Sequence, residues 1–348
     1  MAENELVDFN SLPEGVRRLI EVTYSSGHVR PQVTTRIEDT RFVAVGNRIL
    51  WGKWVTFPDF LTDYCRAVFG ADWGAQELAK PPEQTHPITD WYRKWAHFSS
   101  SQPPAEDGTF LAVPSGPVAA WFHLAYDLYV LQHHAALQAR LVARLKNRDQ
   151  FQGARYELTI AATFIRAGVR IEFEDETDRT RRHPEFRAIH PSNQEVIAVE
   201  AKSRHRPGVL GKPGRAEDPS EVRAGIGRLL QDALDKAPDL PYVVCIDLNL
   251  PPFGHGTVFE QAQIKELMET VVQKEKEYPK EAFPLSVLVA TNFPHYYVPN
   301  DVDDPRKDFI VSPSTYPKHP IRSPGFVDAL FKSLNEYSYV PNYFIDNG

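Results

Sequence analysis

The seven residues Val196-Ile197-Ala198-Val199-Glu200-Ala201-Lys202 constrain this chain more than any other stretch. The apolar run at its start reads as a buried strand, and side chains alternate faces along a strand. Glu200 and Lys202 must therefore point the same way, with Ala201 turned into the packing. A carboxylate and an ammonium are held side by side where a buried strand emerges. Fifteen positions earlier a second acid follows a proline, as Pro184-Glu185. A metal ligand beside a cation is the equipment for cleaving a phosphodiester.

The chain of 348 residues is long enough for one large domain or two ordinary ones. With 42% hydrophobic and 24% charged residues it has the composition of a soluble globular protein. It has no run of about 18 apolar residues, and its N-terminus, Met-Ala-Glu-Asn-Glu, is acidic where a signal peptide is basic and then apolar. A cytoplasmic protein without membrane partners is expected. Cys65 and Cys245 are too few and too isolated for a disulfide framework or a zinc site, and read as reduced packing residues. The net charge of −7 argues against a protein that coats nucleic acid by bulk electrostatics. Between Arg179 and Arg215, however, Arg179, Arg181, Arg182, Arg187, Lys202, Arg204, Arg206, Lys212 and Arg215 stand against only Glu185, Glu195 and Glu200. This basic cluster brackets the carboxylates, as a rim that contacts phosphate would.

Helical spacing and turn signals organise the rest. Residues 11–26 predict a short helix, residues 36–54 a β-like stretch turned at Gly46-Asn47, and residues 57–69 a helix that ends at Gly70. A Pro-, Ser- and Gly-rich section from 80 to 117 is interrupted by Ile88–Phe98, whose Trp91, Tyr92 and Trp95 read as core. Pro117 to Lys146 predicts one long helix. Its adjacent His133 and His134 do not face one another on a helix and so make a poor metal pair. From Gln150 the pattern becomes a compact α/β unit: a helix over 152–167 stopped by Gly168, strands over 169–173, 185–190 and 195–202, and a helix opened by Asp218-Pro219-Ser220-Glu221 and closed at Pro238. A strand over 242–248, a helix over 259–276, a strand over 285–291, a Pro-rich excursion and a helix over 326–337 complete it.

The order helix, three strands, helix, strand, with acids on the first helix and on the second and third strands, resembles the PD-(D/E)XK phosphodiesterase superfamily over residues 150 to 250. The resemblance implies a restriction-endonuclease-like α/β fold, a mixed sheet flanked by helices with an αβββαβ core, in a domain over 149–348. A mainly helical N-terminal domain over 1–148 would recognise substrate or a partner protein, or form a homodimer. It also implies a divalent-metal-dependent nuclease, most simply a DNA endonuclease in restriction, repair or phage defence. Carried over residue by residue, Glu157 matches the helix acid, Pro184-Glu185 the Pro-Asp pair, and Glu200-Ala201-Lys202 the third motif. Glu185, Glu200 and the Ala201 carbonyl would hold Mg²⁺ or Mn²⁺, Lys202 would act on the attacking water or on transition-state charge, and Glu157 would reach the site through a metal-bound water. Glu185 departs from the family's aspartate, and the added methylene moves the carboxylate by about 1.5 Å.

Further candidates follow from position. Gln231 resembles a glutamine that some relatives place near the scissile phosphate. Arg204, Arg206, Lys212 and Arg215 lie in a glycine-containing basic segment, expected to be a mobile loop that orders over a nucleic-acid backbone. Asp247 reads as a turn or cap residue, and His183, His190 and His205 are acid/base candidates that lie on different strands with nothing to fix them together. No Gly-x-x-x-x-Gly-Lys-Ser/Thr loop is present, which excludes built-in ATP-driven translocation. The rival reading is a catalytically silent relative that keeps the fold as a nucleic-acid-binding or assembly module.

Overall fold

The computed structural model describes residues 32–105, 108–135, 137–174, 183–215, 217, 221–253, 256–294, 307–337 and 339–345. The expected helix over 11–26, the arginines at 179, 181 and 182, and the Asp218-Pro219-Ser220 cap lie outside them. The first strands, β1 (Val33–Ile37), β2 (Thr40–Val45) and β3 (Arg48–Gly52), form an antiparallel meander. Its second turn falls at Gly46-Asn47, as expected, with Gly46 at φ 61°. Helix α1 (Phe57–Phe69) starts at a reciprocal cap: the Thr56 hydroxyl accepts from the Asp59 N–H, and Asp59 accepts from the Thr56 N–H. Helices α2 (Ala71–Leu78), α3 (Pro87–Ser101), α4 (Gly116–His134) and α5 (Ala139–Lys146) follow.

The single long helix expected from Pro117 to Lys146 is two helices. Ala135 is extended, at φ −139° and ψ 179°, and the chain restarts at Ala139. Neither glycine nor proline marks the break, so its cause is tertiary. Helix α4 is buried on nearly every side, whereas α5 turns to set Leu141 and Leu145 into the core beside the next helix.

That next helix, α6 (Phe151–Arg166), begins the α/β unit and stops where Gly168 takes φ 86°. Strands β4 (Arg170–Phe173), β5 (Phe186–Ile189) and β6 (Val196–Ser203), helix α7 (Gly227–Leu234) and strand β7 (Tyr242–Asp247) come next. The αβββαβ order of elements is therefore present. Helix α7 begins at Gly227, well after the expected start at Pro219, because residues 221–226 run as an irregular connection, with Gly225 at φ 59°, that buries Val222, Ala224 and Ile226. Helix α8 (Ala262–Lys276), strands β8 (Val287–Asn292) and β9 (Asp308–Pro313), and helix α9 (Phe326–Asn335) finish the chain. The six strands pair in the order β4-β5-β6-β7-β8-β9, antiparallel except for β6-β7 and β7-β8.

Both faces of the sheet are covered, which explains its near-continuous apolar strands. Val199, Val243, Cys245, Val287 and Val289 pack toward α6 and the N-terminal helices. Their neighbours Ala198, Val244, Ile246, Leu288 and Ala290 pack toward Leu230 and Ala233 of α7 and Ile264 and Leu267 of α8. Each fully buried Val or Leu of this kind contributes about 1.5–3 kcal/mol. The first of these clusters runs on through Leu145 to Leu128, Phe60 and Val43, so the core is continuous across residue 148. Among the described residues no helix is long and apolar enough to cross a membrane.

Candidate metal and phosphodiester site

Strand alternation places the site. Val199 and Ala201 face the α6 side of the sheet; Ala198, Glu200 and Lys202 face the α7 side. Glu200 is fully buried. Its Oε1 accepts from the Lys202 Nζ at 2.5 Å and from the Lys236 Nζ at 2.7 Å. Its Oε2, also buried, has no hydrogen-bond partner. A buried carboxylate oxygen without a partner costs desolvation energy, about 1–3 kcal/mol or more for a charged group, unless something outside the protein fills the gap.

Glu185 lies just before β5, and its N–H donates to the Val199 carbonyl at 2.9 Å, which docks it beside the residue preceding Glu200. Burial pushes its pKa up, the charges of Glu157 and Glu200 push it further, and Lys236 and Lys202 only partly offset them, leaving a value of about 8. Like charges gathered in a low-dielectric pocket have this effect. Glu157 is buried on α6 and accepts from the Arg144 guanidinium at 2.5 Å. Arg144 lies on α5, after the break that ends α4. The three acids expected from sequence thus act on one another electrostatically.

Among the described residues no trio of His, Cys, Asp or Glu side chains is drawn together tightly enough to form a ready-made metal cage. Magnesium commonly takes one or two carboxylates and keeps several waters. The unpartnered Glu200 Oε2 with Glu185 beside it matches that donor set, and a cation there would favour ionised Glu185.

Lys236 is the residue that sequence reasoning missed. It follows α7 by two positions, where its N–H donates to the Ala233 carbonyl at 3.0 Å. Burial works against its ammonium, yet the charge and hydrogen bond of Glu200, with Glu185 behind, raise its pKa. Gln231, the expected helical contributor, instead donates to Asp235 on its own helix at 2.8 Å. Its side chain is engaged on that exposed helix surface, and it is Lys236 that reaches Glu200 from the end of this helix.

The basic segment after Lys202 also differs from expectation. Arg206 is buried, donating to the Leu248 carbonyl at 3.1 Å, the Arg223 carbonyl at 2.7 Å and the Glu217 carboxylate at 2.9 Å. It is an internal clamp and does not face a backbone phosphate. Gln152 of α6 bonds the Arg206 N–H and the carbonyls of Arg206 and Val209, while Arg148 bonds the Gly211 carbonyl. Val209 and Leu210 are buried, so the segment is pinned where a mobile loop was expected. Arg204 and Lys212 are half-buried, and Arg215 is exposed.

Asp247 is a structural residue, as expected. It pairs with Arg155 at 2.8 Å, accepts from the Ser203 hydroxyl at 3.3 Å and caps the Asn249 N–H at 3.2 Å. The three singled-out histidines lie apart: His183 beside Glu174, His190 bonded to Ser192, and His205 over Gly153. No protein-family model matches this chain, and no curated protein or solved structure matches it.

Proposed function

We propose that the protein is a divalent-metal-dependent phosphodiesterase acting on nucleic acid, with the restriction-endonuclease-like arrangement that its motifs resemble. The observation that carries this reading is Glu200: fully buried, flanked by two lysines on one oxygen and left open on the other. The Glu200 Oε2, the Glu185 carboxylate and the Ala201 carbonyl would hold Mg²⁺ or Mn²⁺. When bound, the metal supplies a polarised phosphate oxygen and a water acidic enough to attack. Lys202, on the strand face it shares with Glu200, orients that water and balances negative charge as the phosphorus gains its fifth oxygen. Glu157 stays anchored by Arg144, and its charge favours a proton on Glu185 until a cation displaces it.

The test is cleavage of single-stranded DNA, duplex DNA and RNA in Mg²⁺ and Mn²⁺ by the wild type and by Glu200→Gln. Cleavage that Glu200→Gln removes is expected. A second reading, a silent module, has one observation in its favour: Glu200 Oε1 and Glu157 Oε2 already have cationic partners. Absence of cleavage in both metals on all three substrates selects it.

A further inference from the structure

One buried carboxylate needs one ammonium, yet Glu200 has two on the same oxygen. They come from different directions, Lys202 from the strand and Lys236 from the end of α7. Only Lys236 also borders a cleft of about 440 Å³ that opens between the end of α7 and the Pro184 turn before Glu185. Lys236 thus stands between Glu200 and the cleft. Its acids are already engaged: Glu174 with Arg187 at 2.5 Å, Asp235 with Gln231 at 2.8 Å, and Asp239 with Lys318 and His319 at 2.7 and 2.8 Å. Its cations are Lys236, shared with Glu200, and Arg187, paired with Glu174, while Pro184 and Pro238 supply apolar wall.

Small-ligand sites run from roughly 300 to 1,000 Å³, so this cleft has room for one nucleotide and not for stacked base pairs. We infer that it is a nucleotide subsite, in which Lys236 contacts a phosphate of an unpaired strand while the adjoining nucleotide lies between the two prolines. The inference rests on the phosphodiesterase reading and deepens it, because it makes an unpaired strand, and not an intact duplex, the substrate. Lys236 is then a substrate-contacting residue, distinct from the water-orienting Lys202.

The test is fluorescence anisotropy of a short labelled oligothymidylate and of a blunt duplex, in chelator and over a salt series, alongside a cleavage assay with metal. Lys236→Met is expected to weaken single-strand binding about tenfold and to reduce the slope of log affinity against log salt by roughly 0.7, the share of one phosphate on a single strand. Lys236→Arg should restore most of the binding, since the charge returns. Ala237→Phe, which narrows the cleft without changing charge, should weaken binding and leave the slope alone. With metal, Lys236→Met should raise KM more than it lowers kcat.

Single-strand binding and KM unchanged in Lys236→Met, tighter binding of the duplex than of the single strand, or no binding by the wild type each overturns the subsite. A wild type that cleaves while Lys236→Met binds normally removes the subsite alone. A wild type that binds through Lys236 but cleaves nothing in either metal removes the phosphodiesterase reading and leaves the subsite standing.

Discussion

Two buried acids on neighbouring strands, Glu200 of β6 and Asp247 of β7, meet their surroundings in opposite ways. Asp247 is closed: one oxygen takes Arg155 and Ser203, the other takes the Asn249 N–H, and the Arg155 cation bonded to it is itself buried. Glu200 is open: two lysines crowd one oxygen and the other has none. Burial alone therefore does not distinguish a structural carboxylate from a functional one. What distinguishes them is whether the valences close. A closed pair holds the sheet to α6, whereas an open carboxylate among cations has capacity left for a ligand.

The largest expected effect comes from breaking the closed pair. Arg155→Met should cost about 3–5 kcal/mol in denaturant unfolding, because it strands the buried Asp247 without its cation. Metal affinity of the folded fraction should not change. Next, Lys202→Ala should lower kcat by roughly 10²–10³-fold, the scale for loss of one group that stabilises transition-state charge. Metal binding should survive that change in calorimetry. If Lys202→Ala turns over normally, its assigned role is wrong.

Glu185 offers a pH test. The protonated carboxyl favours the native state below about its ordinary value of 4.5, and that contribution is lost as pH rises to about 8, above which the curve is flat. Glu185→Gln should flatten this part of the stability profile. For the same reason, metal uptake near pH 7 should release about one proton, read from calorimetry in buffers of different ionisation enthalpy. The smallest effect is expected from Glu185→Asp, which draws the carboxylate back by about 1.5 Å. Magnesium, which demands near-ideal octahedral geometry, should lose more affinity than manganese, as paired titrations would reveal.

Much of this contrast was legible in the sequence because it depends on local rules. Strand parity puts Glu200 and Lys202 on one face, and Asp247 at the end of its apolar strand reads as a cap. The glycines at 70 and 168 mark the ends of α1 and α6. What was not legible depends on packing between distant segments. Lys236 resembles any basic residue at the end of a helix until α7 docks on β6. Arg206 sits in a basic, glycine-containing sequence that reads as surface, and only the carbonyls of Arg223 and Leu248 turn it inward. The split of α4 from α5 has no local breaker, and β9 lies beyond a Pro-rich stretch that masks its alternation.

The central claim is that the open oxygen of Glu200 is a metal-binding valence. Manganese titration by calorimetry, on the wild type and on Glu200→Gln, tests it most directly. The account predicts saturable binding by the wild type that disappears in Glu200→Gln while the variant remains folded by circular dichroism. A wild type that binds no manganese, or a Glu200→Gln variant that binds it as well as the wild type, would contradict it.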